Sequence, residues 1–234
     1  MDFIVFTGTF IAIYYFDVSV GFESFYEVNN INAKILVLIG YIFWQNSSAA
    51  LGYVNDTVSS EATAGIFEMR LQSIFSMEWI WFFRLLVSCI IHLVTYVGIL
   101  VFGSVVVGFD SWSVYAICIS IILSFPALLG MYGIGLIFGS FTVMEKNVGS
   151  LILIIQTILL FVTNTLSPCR GSWIYLVPFT SGIEIVRKIY LELPVPIELV
   201  MAYVVVNIVW FFIGSLSYKL VVRYERKYGS FDNY

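Results

Sequence analysis

The sequence predicts an all-α polytopic membrane protein with six transmembrane helices, a cytoplasmic amphipathic helix between spans 2 and 3, and a re-entrant helical hairpin between spans 5 and 6. Three observations predict it. First, 60% of the 234 residues are hydrophobic and 11% charged, with mean hydropathy +0.96, whereas a soluble domain carries about 25% charged residues. Second, apolar runs near the roughly 17–25 residues that a helix needs to cross a bilayer recur along the chain. Third, charge collects between those runs, above all in Asn55–Arg84, NDTVSSEATAGIFEMRLQSIFSMEWIWFFR.

The same composition excludes other classes. A formal net charge of -4 with no broad basic patch gives no electrostatic support for nucleic-acid binding. Cys89, Cys118 and Cys169 show neither a disulfide framework nor a metal-ligand spacing. They read as small space-filling hydrophobes.

In chain order, span 1 covers about 2–17. It lacks the positive flank and cleavage site of a secretory signal, so it is retained as structure with almost no leader ahead of it. Asp17, Glu23 and Glu27 mark a polar loop ending at Asn29-Asn30. Span 2, about 34–54, carries Gln45, Asn46, Ser47 and Ser48 around one helical turn. Four polar side chains cannot all face lipid cheaply, so they either hydrogen-bond between helices or line a pathway. Span 3 covers about 80–107; Trp79 and Trp81 suit an interfacial belt, and Arg84 can snorkel to the same boundary. His92, the only histidine, has no second histidine or carboxylate nearby and reads as structural. The Gly108-Phe109-Asp110 turn leads to span 4, about 112–140. There Pro126, Gly130, Gly133, Gly135 and Gly139 predict a kinked or closely packed helix. Gly135 and Gly139 form a small-xxx-small pair that suits close approach inside the bundle or at a subunit interface.

Span 5, about 148–166, follows the polar Glu145-Lys146-Asn147 turn and has Gln156 and Asn164 as its polar members. Ser167–Pro196 is too long and mixed for a simple turn. Pro168, Gly171 and Pro178 interrupt it, and Ile183–Leu193 reads as a short helix ended by Pro194 and Pro196. With Trp173, Tyr175 and Phe179 suited to an interface, this is either a re-entrant hairpin or an ordinary external loop. Span 6 covers about 198–221 and is followed by Arg223, Arg226 and Lys227.

That basic end places the C-terminus in the cytoplasm, and six spans place the N-terminus there as well. Arg70, Arg84, Lys146, Lys219, Arg223, Arg226 and Lys227 then fall inside, against Lys34, Arg170, Arg187 and Lys188 outside. The expectation is a multi-pass plasma-membrane protein with a single transmembrane domain over 1–234.

No GxxxxGK[ST], HExxH or GxSxG motif occurs, so ATP-driven work by P-loop chemistry requires another polypeptide. Glu61, Gly65 and Glu68 precede apolar Met69, Leu71, Ile74 and Phe75, and a helix here segregates acidic from apolar positions. Such a helix either docks a cytosolic partner or lies on the membrane.

Glu61–Ser73, EATAGIFEMRLQS, resembles the coupling-helix stretch of the type-2 ATP-binding-cassette (ABC) exporter permeases. Gly65, Glu68 and Leu71 fit, while Ile66 and Phe67 stand where the family has Thr and Leu. Leu176–Arg187, LVPFTSGIEIVR, is similar to the family's extracellular re-entrant region through Pro178, Thr180, Glu184 and Arg187. The resemblance covers nearly the whole chain. It implies a coupling helix built from Glu61, Gly65, Glu68, Met69, Leu71, Ile74 and Phe75, and a homo- or heterodimer of permease subunits in membrane lipid. It also implies a separate ATP-binding subunit, which holds ATP and Mg and does the catalysis, so that this chain needs no cofactor and no catalytic residue of its own.

The activity so implied is export or flipping of a substrate between two permease subunits. Gln45, Asn46, Gln156 and Asn164 are the candidate lining residues, or else contacts between helices. Glu184 and Arg187, three apart, can pair across a short external helix for about 0.2–0.5 kcal/mol. The alternatives are a non-ATPase membrane immunity or assembly factor and, behind it, a secondary transporter, for which the spans offer no ionisable pair deep in the bilayer. An intramembrane enzyme ranks lower, because His92 lacks catalytic company in the sequence.

Overall fold

The computed structural model describes residues 20–71, 76–102, 108–145, 148–168 and 171–228, with Gly8 and Ser104 as single positions. Predicted span 1 lies outside the described residues apart from Gly8, as do Ile74, Phe75, Lys146, Asn147, Cys169 and Arg170. The side chains of Glu68, Leu71, His92, Trp173 and Arg226 lie outside them too. All regular structure among the described residues is helical.

The stretch read as a polar loop contains a short helix, α1 (Val20–Tyr26). Phe22 and Tyr26, four apart, share one face and stack with ring centroids 6.1 Å apart. Phe22 is fully buried, which is what draws the segment into helix against the bundle. Glu27, at φ 53, ends it.

α2 (Asn30–Thr63) is 34 residues long, about 51 Å at 1.5 Å per residue, and so overruns predicted span 2 at both ends. Its residues from Ile35 to Phe43 are buried without a break, so neighbours cover all of its sides there. The helix ends in a Schellman motif: Gly65 N–H bonds Ala62 O, and Ile66 N–H reaches back to Glu61 O, both at 3.0 Å. Gly65 holds φ +68, a conformation that only glycine adopts without strain. The predicted continuous helix over 61–75 is therefore corrected. Glu61 belongs to the last turn of α2, Gly65 is the stop, and a separate five-residue helix, α3 (Phe67–Leu71), follows.

α4 (Met77–Phe102) starts three residues before predicted span 3. Trp79 is exposed as the interfacial reading expects. Trp81 is not: it is fully buried between Phe67 and Tyr218, with centroids at 6.5 and 5.5 Å. α5 (Ser111–Glu145) is capped by Asp110, whose Oδ1 accepts the Ser113 backbone N–H at 3.0 Å. Pro126 inside α5 removes one backbone donor, and the Tyr203 hydroxyl donates to the nearby Leu123 carbonyl.

α5 runs between α2 and α8 (Ile197–Tyr228), and glycines set both crossings. A Cβ on Gly135 would meet Leu51 O at 2.8 Å, and one on Gly139 would meet Val54 Cγ1 at 2.4 Å. The small-xxx-small pair thus closes α5 onto α2 within one chain. On the other side a Cβ on Gly214 would lie 1.9 Å from Gly133 O, so α5 and α8 touch backbone to backbone.

α6 (Gly149–Val162) has 14 residues, about 21 Å, against a hydrocarbon core of roughly 30 Å. Predicted span 5 ends early, and the chain bends through Thr163–Ser167, where Asn164 takes φ 61. A short 3-10 segment, Ser172–Leu176, and α7 (Thr180–Tyr190) return it to α8. Among the described residues, Asn30–Thr63, Ser111–Val143 and Ile197–Tyr224 are long and apolar enough to cross a membrane. The fold has the character of a membrane-associated helical bundle.

Candidate functional site

The residues singled out in the sequence fall at three levels of the bundle. At one end, the Glu61 carboxylate, almost fully buried, collects two arginines: Arg70 of α3 bonds its Oε1, and Arg84 of α4 approaches the same oxygen at 3.2 Å. One carboxylate thus ties the end of α2 to α3 and to the first turns of α4. Apolar packing reinforces the tie, because Phe67 of α3 stacks on Trp81, which packs in turn on Tyr218 of α8. Met69 points the other way and is 67% exposed. A short element tied to the bundle through Phe67 and Arg70, with Met69 exposed, is the result. Glu68 and Leu71 lie on α3 by backbone position.

At mid-height the amides are engaged with neighbouring helices. Asn46 of α2 uses both ends of its side chain: Nδ2 donates to Ser124 Oγ of α5 at 2.7 Å, and Oδ1 accepts from Tyr96 of α4 at 2.6 Å. Gln156 Nε2 of α6 donates to Ser48 O at 2.8 Å, and Trp44 Nε1 donates back to Gln156 O at 2.9 Å. Gln45 is half-buried on α2. A polar tie missed in the sequence joins Thr142 Oγ1 of α5 to Asn55 Oδ1 at 2.7 Å. Its signal was an Asn on α2 about two and a half turns beyond Asn46.

At the other end the expected Glu184–Arg187 pair does not form. Arg187 is fully buried and spends its donors on backbone carbonyls: Leu36 O at 3.0 and 2.9 Å, Asn164 O at 2.7 Å and Thr165 O at 3.3 Å. The reason lies in the helical spacing. Ile183, Val186, Arg187 and Tyr190 are the i, i+3, i+4, i+7 face of α7, and that whole face is buried. Glu184 falls off it and accepts instead from the Tyr26 hydroxyl at 3.1 Å. Burial pulls the Arg187 pKa down, while Tyr26 and Glu184 favour its charged form. Thr180 is buried at the start of α7, and Pro178, also buried, gives its carbonyl to Asn207 Nδ2 at 3.0 Å. The left-handed Asn164 therefore serves as an acceptor platform for the arginine.

Together these groups form contacts between helices. Among the described residues no three His, Cys, Asp or Glu side chains stand together as a metal-ligand set. Compared with known protein families, characterised proteins and solved structures, the chain matches none.

Proposed function

We propose that this chain is the membrane subunit of an ATP-driven exporter, moving or flipping a substrate while a separate subunit hydrolyses ATP. The observation that carries the reading is the Glu61 tie. It makes α3 a short cross-piece that cannot move without α2 and α4, and it leaves Met69 facing outward. A docked ATP-binding subunit that pushes on α3 passes the push to two long helices as a rigid body.

In this reading α2, α4, α5, α6 and α8 are spans 2–6, both termini are cytoplasmic, and a second permease copy completes the pathway. The short α6, the bend at Thr163–Ser167 and the return through α7 support a re-entrant hairpin on the outer side. The side-chain engagements of Asn46 and Gln156 favour helix contacts over a pathway lining for those two.

The test is purification of the intact membrane complex with identification of its subunits, alongside a Met69→Asp variant. A stoichiometric ATP-binding subunit is expected with the native chain, and a several-fold weaker association with Met69→Asp at equal membrane levels. An intact, active complex without any ATP-binding subunit overturns the proposal.

A further inference from the structure

One face of α2 is left open between two of its neighbours, and that face is polar. α4 meets α2 at Asn46 and Glu61, through Tyr96 and Arg84. α6 meets it at Trp44 and Ser48, through Gln156. At about 100° per residue, with Gln45 as origin, the α4 contacts stand at about 100° and 160° and the α6 contacts at about −100° and −60°. Ala49, Tyr53, Asp56 and Ser60 fall between them, at about 40°, 80°, 20° and 60°. The opening is one-sided. Toward Asn30 the helix is buried on all sides from Ile35 to Phe43, which closes the cleft just beyond Gln45. Toward Glu61 it widens: Gln45, Ala49 and Tyr53 are half-buried, Asp56 and Ser60 exposed. Ser60 to Gln45 is about 22 Å along the axis, so the closed end lies near the middle of a helix long enough to cross a membrane.

The groups on the floor decide what fills the cleft. The Gln45 amide has no hydrogen-bond partner among the described residues, and at that depth hydrocarbon leaves it desolvated and unsatisfied whereas water does not. Asp56 accepts from its neighbour Asn55, Nδ2 to Oδ1 at 3.1 Å, and has no ion pair among the described residues. The walls do not compensate it. α6 carries no charged residue. The two charged residues of α4 are committed elsewhere: Glu78 to Lys219, and Arg84 to Glu61, about 140° round α2 from Asp56. We infer that this face is the floor of a water-filled blind cleft, open at the Glu61 end, that admits polar solutes to the depth of Gln45 and favours a cation through Asp56. The inference rests on the membrane character of the bundle and not on the ATP-driven reading, and it needs no partner subunit.

The test uses the full chain in lipid nanodiscs, with Cys89, Cys118 and Cys169 replaced by Ala, and water-soluble methanethiosulfonate reagents of either charge. These react with a hydrated thiolate and not with a thiol in hydrocarbon. Gln45→Cys and Ala49→Cys are expected to react about tenfold or more faster than Val94→Cys, a position of α4 that is 75% exposed and apolar. Ile42→Cys, past the closed end, stays unreactive. At Ala49→Cys, adding Asp56→Asn lowers the ratio of cationic to anionic reagent rates about threefold, and Asp56→Glu preserves it. Rates at Gln45→Cys and Ala49→Cys no faster than at Val94→Cys assign the face to lipid or to a covering protein and overturn the cleft. Reaction at Ile42→Cys overturns its closed end, and an unchanged ratio in Asp56→Asn overturns the cation preference. Ala49 is half-buried and Asp56 exposed, so these variants leave the core in place.

Discussion

The guanidinium of Arg187 lies 4.6 Å over the ring of Phe22, so a cation from α7 is sandwiched between an aromatic ring of α1 and backbone carbonyls of α2 and the 163–167 bend. Four chain segments meet on one side chain. Replacing it by Ala leaves the Asn164 and Thr165 carbonyls without this donor in a buried site, at about 1–3 kcal/mol for each group stranded, and takes from the Leu36 carbonyl a partner additional to its place in α2. Arg187→Ala is expected to lower the unfolding midpoint of the detergent-solubilised chain sharply. Arg187→Lys recovers only part of the loss, because an ammonium cannot match a planar fork. An unchanged midpoint in Arg187→Ala removes the residue from its place as the tie.

The α5–α8 crossing makes a second, purely steric prediction. A Cβ at Gly214 would stand 1.9 Å from Gly133 O, backbone that cannot yield, whereas at Gly52 the nearest atom is Gln156 Nε2 at 3.2 Å, the end of a flexible side chain. Gly214→Ala should cost about 1–3 kcal/mol, as overpacking does, and Gly52→Ala much less. Matched thermal unfolding of the two variants checks it, and equal losses contradict the close crossing.

Glu61 yields the third. Removing its carboxylate strands Arg70 and Arg84 and frees α3 from α2. The arginines are partly exposed, so solvent takes up some of the loss, and about 1–3 kcal/mol is expected for Glu61→Ala. The more specific outcome is local: limited proteolysis should cut Glu61→Ala between residues 64 and 76 faster than the native chain. Equal cutting rates separate Glu61 from the rigidity of α3.

These three positions also show what the sequence made legible. The helical class and the long apolar segments followed from composition and run length, because a bilayer-length helix needs both. The end of α2 is legible too: a glycine followed by an apolar residue is the C′–C″ signature of a Schellman stop, and Gly65-Ile66 carries it. Arg187 was legible in the same way, since it shares a helical face with Ile183, Val186 and Tyr190. An i, i+3 carboxylate made a surface pair look natural there. Which glycine meets which helix was not legible. Gly133 and Gly135 lie two residues apart, yet one serves α8 and the other α2, and that depends on tertiary placement alone.

The last prediction concerns pH and the α5 cap. Asp110 lies outside the long helices and accepts from both the backbone N–H and the hydroxyl of Ser113, and these bonds hold its pKa below the ordinary carboxylate range. A carboxyl whose folded pKa is depressed stabilises the fold at pH above its unfolded value, about 3.9, and loses that contribution as pH falls through the folded value. Asp110→Ala should therefore cost about 1 kcal/mol at neutral pH, the usual worth of an N-cap, and progressively less as the pH falls below about 4, where the unfolded carboxyl begins to protonate, towards the lower folded value. Asp110→Asn keeps an accepting oxygen at the cap whose contribution does not titrate, so its small deficit at neutral pH should shrink as the pH falls through this window. Unfolding midpoints of the three proteins from pH 7 down to pH 3 give the comparison. A gap between native and Asp110→Ala of the same size at both ends assigns the cap to shape alone, with no part for the charge.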